Sequence, residues 1–371
     1  MPVLTSPLLH LPGAVSSAVT ESAAQPPPEV QVGGEADRGP VVEVAGHYGD
    51  PIGEQRLLAR GEAVVDRSDR GVVTVSGPDR LSWLHSLTSQ HLTGLAPGVG
   101  TETLVLSPKG HIEHALHVVD DGQRVWLTVE PGTAPALVAW LDSMRFMLRV
   151  EVADVTMEYA VLAFCGDLPD LGVEPAALWH DPWPAVEAGR LLGDTAAYGP
   201  VEDHPGQGWS LTETVVPRSA LESLAARSDL RWAGTWALEA LRVAAWRPRL
   251  GAETDHRTIA HEVDWLRTAV HLHKGCYRGQ ETIARVHNLG RPPRRLVFLH
   301  LDGSGHELPA AGDPVRLGDR TVGHLTSVVR HHEDGPIALA LIKRNTDPEA
   351  LLLAGVGDSA VTAAQTVIVA R

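Results

Sequence analysis

Lys274-Gly275-Cys276-Tyr277-Arg278-Gly279-Gln280-Glu281, continued by Thr282-Ile283-Ala284-Arg285-Val286-His287, holds one of the two cysteines in a chain of 371 residues. Glycines on both sides of Cys276 permit a tight backbone path, and Gly279 opens an amphipathic run, 280–288, that Gly290 and Pro292 stop. This predicts a helix whose N-terminus lies just after the thiol. Unpaired N–H groups at such a terminus favour negative charge, and Lys274 and Arg278 add cations beside it, so the pattern leans toward a thiolate. A buried cysteine packed as a small hydrophobe is the competing reading of the same residues.

The eight residues 274–281 resemble the K-G-C-[aromatic]-x-G-Q-E signature of the YgfZ family. These are folate-binding-fold proteins linked to iron–sulfur cluster assembly or repair, related to the aminomethyltransferase (T-protein) of the glycine cleavage system. Working outward, the resemblance covers roughly residues 45–345 and is densest at 63–119, 236–295 and 320–343. It implies an α+β fold: three domains in a ring around a tetrahydrofolate-sized cavity, with a small C-terminal β-barrel. The expected layout is a disordered leader over 1–40, a first α+β unit from 41–155 and 234–293, a second from 156–233, and the barrel over 294–371.

Composition bounds the function classes. With 43% hydrophobic and 21% charged residues the chain reads as soluble and globular, long enough for two or three domains. Two cysteines, Cys165 and Cys276, exclude a disulfide framework, and the start lacks a basic segment followed by a continuous apolar one, so a cytoplasmic location is expected. No apolar stretch is long enough to cross a bilayer. A formal net charge of −15 disfavours nucleic acid as a partner. Against that balance, Lys274, Arg278, Arg285, Arg291, Arg294 and Arg295 form a basic island that suits either an anion site, such as the glutamate tail of a folate, or ordinary ion pairs.

Toward the N-terminus, residues 1–40 are rich in Pro, Ser, Ala and Gly without a sustained period. Residues 71–75 read as a strand, and Ser76-Gly77-Pro78-Asp79 as a helix start followed by Leu81, Leu84 and Leu87. Residues 101–106 and 112–119 read as strands about the turn Ser107-Pro108-Lys109-Gly110. Alternation puts Ile112, His114, Leu116 and Val118 on one face and Glu113, Ala115 and His117 on the other. Where the T-protein carries paired aspartates this strand reads Glu113-His114. Glu113 is then the one carboxylate available to handle a folate-nitrogen proton, and His114 is either a core-edge histidine or a residue lining the ligand cavity. A helix is expected over 133–146, and Cys165 is read as a packed small hydrophobe.

Further along, the entry Pro205-Gly206-Gln207-Gly208-Trp209 lacks the pterin-reading glutamate of the relatives' turn. In 236–243, which resembles the relatives' A-x-x-x-L-R helix, Leu238 replaces a folate-contacting arginine while Arg242 remains. His271, His273 and His287 near Cys276 are too sparse a set for a zinc site, so no metal is expected. From Arg294 on, short strands over 296–301, 314–317, 321–329, 336–343 and 361–369 read as the barrel.

The resemblance implies an accessory protein for iron–sulfur enzymes. Cys276 and Glu113 are its candidate reactive groups. Tetrahydrofolate, or a folate derivative, would be the cofactor, with Lys274, Gly275, Tyr277, Arg278, Gly279, Gln280, Glu281, His114 and Arg242 as candidate binding residues. Iron–sulfur client or assembly proteins are the expected partners. The alternative is a folate-dependent aminomethyltransferase or demethylase of the T-protein type, and whether any reaction is catalysed stays open.

Overall fold

The computed structural model describes residues 4–18, 39, 42–304 and 307–370. Aliphatic and β-branched residues at alternate positions build a five-stranded antiparallel sheet from Glu151–Asp154, Gly71–Ser76, Arg124–Val129, Ile112–Asp120 and Gly100–Leu106, in that spatial order. One face buries Val73, Val75, Leu116, Val118 and Val125 against Trp83, Leu84, Leu137 and Leu141 of the helices Arg80–Leu87 and Ala134–Ser143. The opposite face carries Ala115 and His117 toward the centre of the molecule.

A second five-stranded sheet runs Ala177–His180, Leu211–Pro217, Tyr159–Cys165, Val64–Asp66, Trp232–Ala233. Val65, Val161, Ala163 and Val215 pack on Leu58 and on Ala237 and Leu238, from the helices Pro51–Ala59 and Thr235–Ala244. Val64–Asp66, placed with the first unit by the sequence layout, hydrogen-bonds into this second sheet. Its partners are Val64 to Phe164 and Val65 to Ala163 on one side, and Trp232–Ala233 on the other.

Six strands close the C-terminal barrel: Arg294–Leu301, Gly335–Lys343, Arg320–His331, Pro314–Leu317, Leu352–Ala354 and Val361–Val367. Leu352–Ala354 is the strand that the sequence pattern did not mark. Closure leaves the barrel no open sheet edge.

Two sequence expectations are corrected. Part of the expected leader is built into the fold: Leu4–Thr5 pairs with Val42–Glu43, and Val15–Ser16 pairs with the Ala45–His47 strand. Leu8 is fully buried among Leu162, Val216 and Leu221. A few well-placed apolar side chains supply what a low-complexity composition obscures; residues 1–3, 19–38 and 40 of that leader lie outside the described residues. The helix expected over 133–146 stops at Ser143, and Phe146, in a left-handed conformation (φ 47°), projects into solvent. Among the described residues no helix is long and apolar enough to cross a membrane.

Candidate functional site

Gly279 decides how the 274–281 stretch is held. It has φ +80°, and a Cβ there would stand 2.6 Å from the Ser107 carbonyl oxygen and 2.9 Å from Leu106 Cβ. The ten-residue helix Gln280–Leu289 therefore starts hard against the Gly100–Leu106/Ile112–Asp120 hairpin, where Thr282 Oγ1 donates to the Lys109 carbonyl at 2.9 Å. Gly275 differs. Its backbone does not need glycine, and nothing lies within 4 Å of a Cβ built on it.

Cys276 is exposed, while the side chains around it are committed to the protein. Lys274 Nζ donates to the carbonyls of His85, Thr88 (2.5 Å) and Gln90 (3.0 Å), at and just beyond the C-terminal end of the Arg80–Leu87 helix. Burial pushes the Lys274 amine down to about 8. The same ammonium lies 4.9 Å from the centroid of the buried Tyr277 ring, whose phenol burial pushes up. Arg278 Nη1 donates to Glu113 Oε2 at 3.0 Å, and its guanidinium lies 5.8 Å from the Trp140 ring centroid. Glu281 forms an exposed pair with Arg285 one helical turn on, and Gln280 is half-buried at the helix start.

Lys274, Arg278, Arg285, Arg294 and Arg295 of the basic island are thus divided among separate partners. Arg294 bonds Asp255 and Glu262, and Arg295 Nη2 donates to the Thr346 carbonyl at 2.8 Å. No single anion site gathers these cations. His114 is buried and its Nδ1 has no hydrogen-bond partner; burial holds the imidazole down to about 4. It sits on the strand face turned away from the central cavity and does not line it, so the lining role anticipated for it fails on alternation.

That cavity is bounded by both sheets and by the Thr235–Ala244 helix. Of the sequence-derived candidates only Arg242 lines it. Its apolar wall is Trp209, Leu211, Leu238, Leu250 and Trp265. Its polar wall is a chain of buried ion pairs. Glu213 accepts from Thr128 Oγ1 (2.9 Å) and contacts His117 Nδ1 (2.8 Å) and Arg70 Nε (3.3 Å). Arg70 reaches Glu130 (3.1 Å), Glu130 meets Arg249 (3.2 Å), and Arg249 meets Glu239 (2.9 Å). Glu239 pairs with Arg242, which donates to Glu253 (2.8 Å) and to Ser327 of the barrel (2.7 Å).

Burial alone would raise these carboxyls; the guanidinium neighbours outweigh it. Glu239 is brought to about 2 by Arg242 and Arg249, and Glu213 is held well below the usual range by Arg70 and His117. The His117 ring stacks on Trp179 at 3.7 Å and 5°. Sequence reasoning missed Arg67, Arg70, Glu130, Glu213, Arg247 and Arg249 as wall residues. The available signal was a charged residue inside a β-branched strand, as with Glu213 between Thr212 and Thr214 in Leu211–Pro217. Among the described residues no group of His, Cys, Asp or Glu is arranged to hold a metal ion.

Two α+β sheets about a central cavity with an appended barrel is the fold of glycine cleavage aminomethyltransferases. The T-protein from Bartonella henselae superposes with a TM-score of 0.72, covering 99% of this chain and 97% of that one at 18% identity. The GCVT N-terminal domain family matches residues 50–168. The chain thus shares the fold of the T-protein. A protein of Arabidopsis thaliana named as a candidate chloroplastic transferase is 28% identical over 301 residues, 76% of this chain and 66% of that protein, so the match spans about two thirds of the relative's length. An aminomethyltransferase of Symbiobacterium thermophilum is 25% identical over 77% of this chain and 79% of its own. A tRNA-modifying protein YgfZ of Aliivibrio fischeri is 27% identical over 77% and 86%.

Proposed function

We propose that this protein is a YgfZ-like accessory factor that supports the assembly or repair of iron–sulfur enzymes, binds a reduced folate in the central cavity and works through Cys276. The carrying observation is the exposed thiol, on a turn whose other side chains are all engaged. Glu113 is tied to Arg278 and does not line the cavity, which argues against a carboxylate poised for methylamine transfer.

A folate fits the donor set. The flat pterin matches the Trp209, Leu238 and Trp265 wall, and its N–H edge matches buried carboxylates such as Glu130, whose Oε2 is in ion contact with Arg249 Nε at 3.2 Å. Arg70 and Arg249 would face its acceptor atoms. When bound, a reduced folate supplies a one-carbon unit or a reducing centre. The chain's own part is to orient the ring and exclude water. Location follows the soluble composition, and no membrane partner is invoked.

The test is complementation of a strain lacking its own YgfZ-like protein, scoring iron–sulfur enzyme activities with wild type, Cys276→Ser and Glu113→Gln. Rescue by wild type and Glu113→Gln but not by Cys276→Ser is the expected result. Loss of rescue with Glu113→Gln alone, or no rescue by wild type, overturns it. The second reading, aminomethyl transfer, is favoured by the names of several relatives. It predicts folate-dependent aminomethyl transfer by purified protein, the carbon passing to the folate and ammonia leaving, that survives Cys276→Ser.

A further inference from the structure

Lys274 was a natural candidate for an anion ligand, but its ammonium has no donor to spare. An ammonium offers three N–H bonds, and three carbonyl oxygens take them: His85, Thr88 and Gln90. These oxygens belong to the end of the Arg80–Leu87 helix and the turn after it, where the final carbonyls have no intrahelical partner and the helix dipole is negative. The Tyr277 ring lies 4.9 Å beneath the same nitrogen. Residues 274 and 277 are buried together, whereas Gly275 and Cys276, between them, are exposed. On the far side Arg278 is held by Glu113 and Trp140.

We propose that Lys274 is a positioning residue for Cys276: by capping the Arg80–Leu87 helix and covering Tyr277, it clamps the 274–278 turn so that the thiol is presented to solvent. This deepens the functional reading and rests on Cys276 being the working group. The clamp explains why a long cation precedes the thiol in a turn where Gly275 has no steric necessity. It also assigns the reacting partner a direction, since the thiol meets what arrives from solvent.

The experiment is alkylation of the full-length folded chain with iodoacetamide, the label located by peptide mass spectrometry, with the rate divided by the thiolate fraction from ultraviolet absorbance. Lys274→Met should slow Cys276 labelling by at least about threefold per thiolate, and Lys274→Arg, which keeps the cation and its donors, should stay within about twofold of wild type. Tetrahydrofolate binding by Lys274→Met should match wild type. An unchanged labelling rate in Lys274→Met, or weakened folate binding with the rate unchanged, overturns the proposal.

If Lys274→Met fails to fold, wild type alone decides: the Cys276 amide should show a backbone order parameter near about 0.85, and a value below about 0.6 overturns the clamp. Failure of the accessory-factor reading would be seen separately, as rescue by Cys276→Ser, with these thiol measurements unaffected.

Discussion

Glu213 has Arg70, His117 and Thr128 converging on one buried carboxylate, whereas Glu113 has one half-exposed arginine. The two should respond differently to the same change. Glu213→Gln leaves buried cationic groups without a counter-charge and is expected to cost about 3 kcal/mol in urea denaturation. Glu113→Gln breaks a solvent-screened pair and should cost only about 0.5 kcal/mol. At this scale the thiol was legible in the sequence, because a lone cysteine among glycines and cations is conspicuous. The commitments of its neighbours were not: Lys274 and Arg278 look like free cations until the chain brings His85, Thr88, Gln90, Glu113 and Trp140 to them from elsewhere. The cavity wall was hidden for the same reason, its ion pairs joining residues as far apart as Arg70 and Glu213.

The hairpin Gly100–Leu106/Ile112–Asp120 and the helix Gln280–Leu289 meet through two glycines, each pressed against the other element. A Cβ at Gly110 would stand 2.6 Å from Thr282 Cβ, as one at Gly279 would from the Ser107 carbonyl. Gly279→Ala should therefore lower stability by about 2 kcal/mol, combining an unfavourable φ with a backbone collision. Gly275→Ala, with open space and an ordinary φ, should change stability by less than about 0.5 kcal/mol. Parallel thermal melts of the two variants check the pair. Elements with a strong local period, such as this hairpin and the Arg80–Leu87 helix, were readable from sequence. Short strands such as Leu4–Thr5 and Leu352–Ala354 were not, because two or three residues carry no period and are fixed by partners distant in the chain.

The whole molecule is tied together by segments that cross its units. Residues 4–18 add strands to Val42–Glu43 and Ala45–His47, bury Leu8, and bring Ser6 Oγ to Asp66 Oδ2 at 2.5 Å. Deleting the first 18 residues should cost about 3 kcal/mol or more, from lost apolar burial and a buried Asp66 deprived of its hydroxyl donor; urea denaturation of the truncated chain measures it.

Acid should act in two stages. Burial holds His114 and His261 down to about 4, and burial with Arg267 holds His204 down to about 3. Their folded pKa values lie below the unfolded value of about 6.5, so the unfolded chain binds protons first and stability falls as pH drops from there toward 4. Glu239, at about 2 in the folded chain, contributes stability that is complete above the unfolded value near 4.5 and is lost as pH falls toward 2. Denaturation midpoints across this range should decline continuously and steepen below about pH 4.5.

Cys165 is buried, and burial pushes its thiol up to about 12, while Cys276 stands exposed. Oxidation in air thus has a single outlet per chain. Two copies can be joined by one bond between their Cys276 sulfurs, after which neither offers another, so the products are monomers and covalent pairs, with no ladder of longer species. A nonreducing gel should resolve two bands that merge on adding reductant, and Cys276→Ser should leave only the lower one.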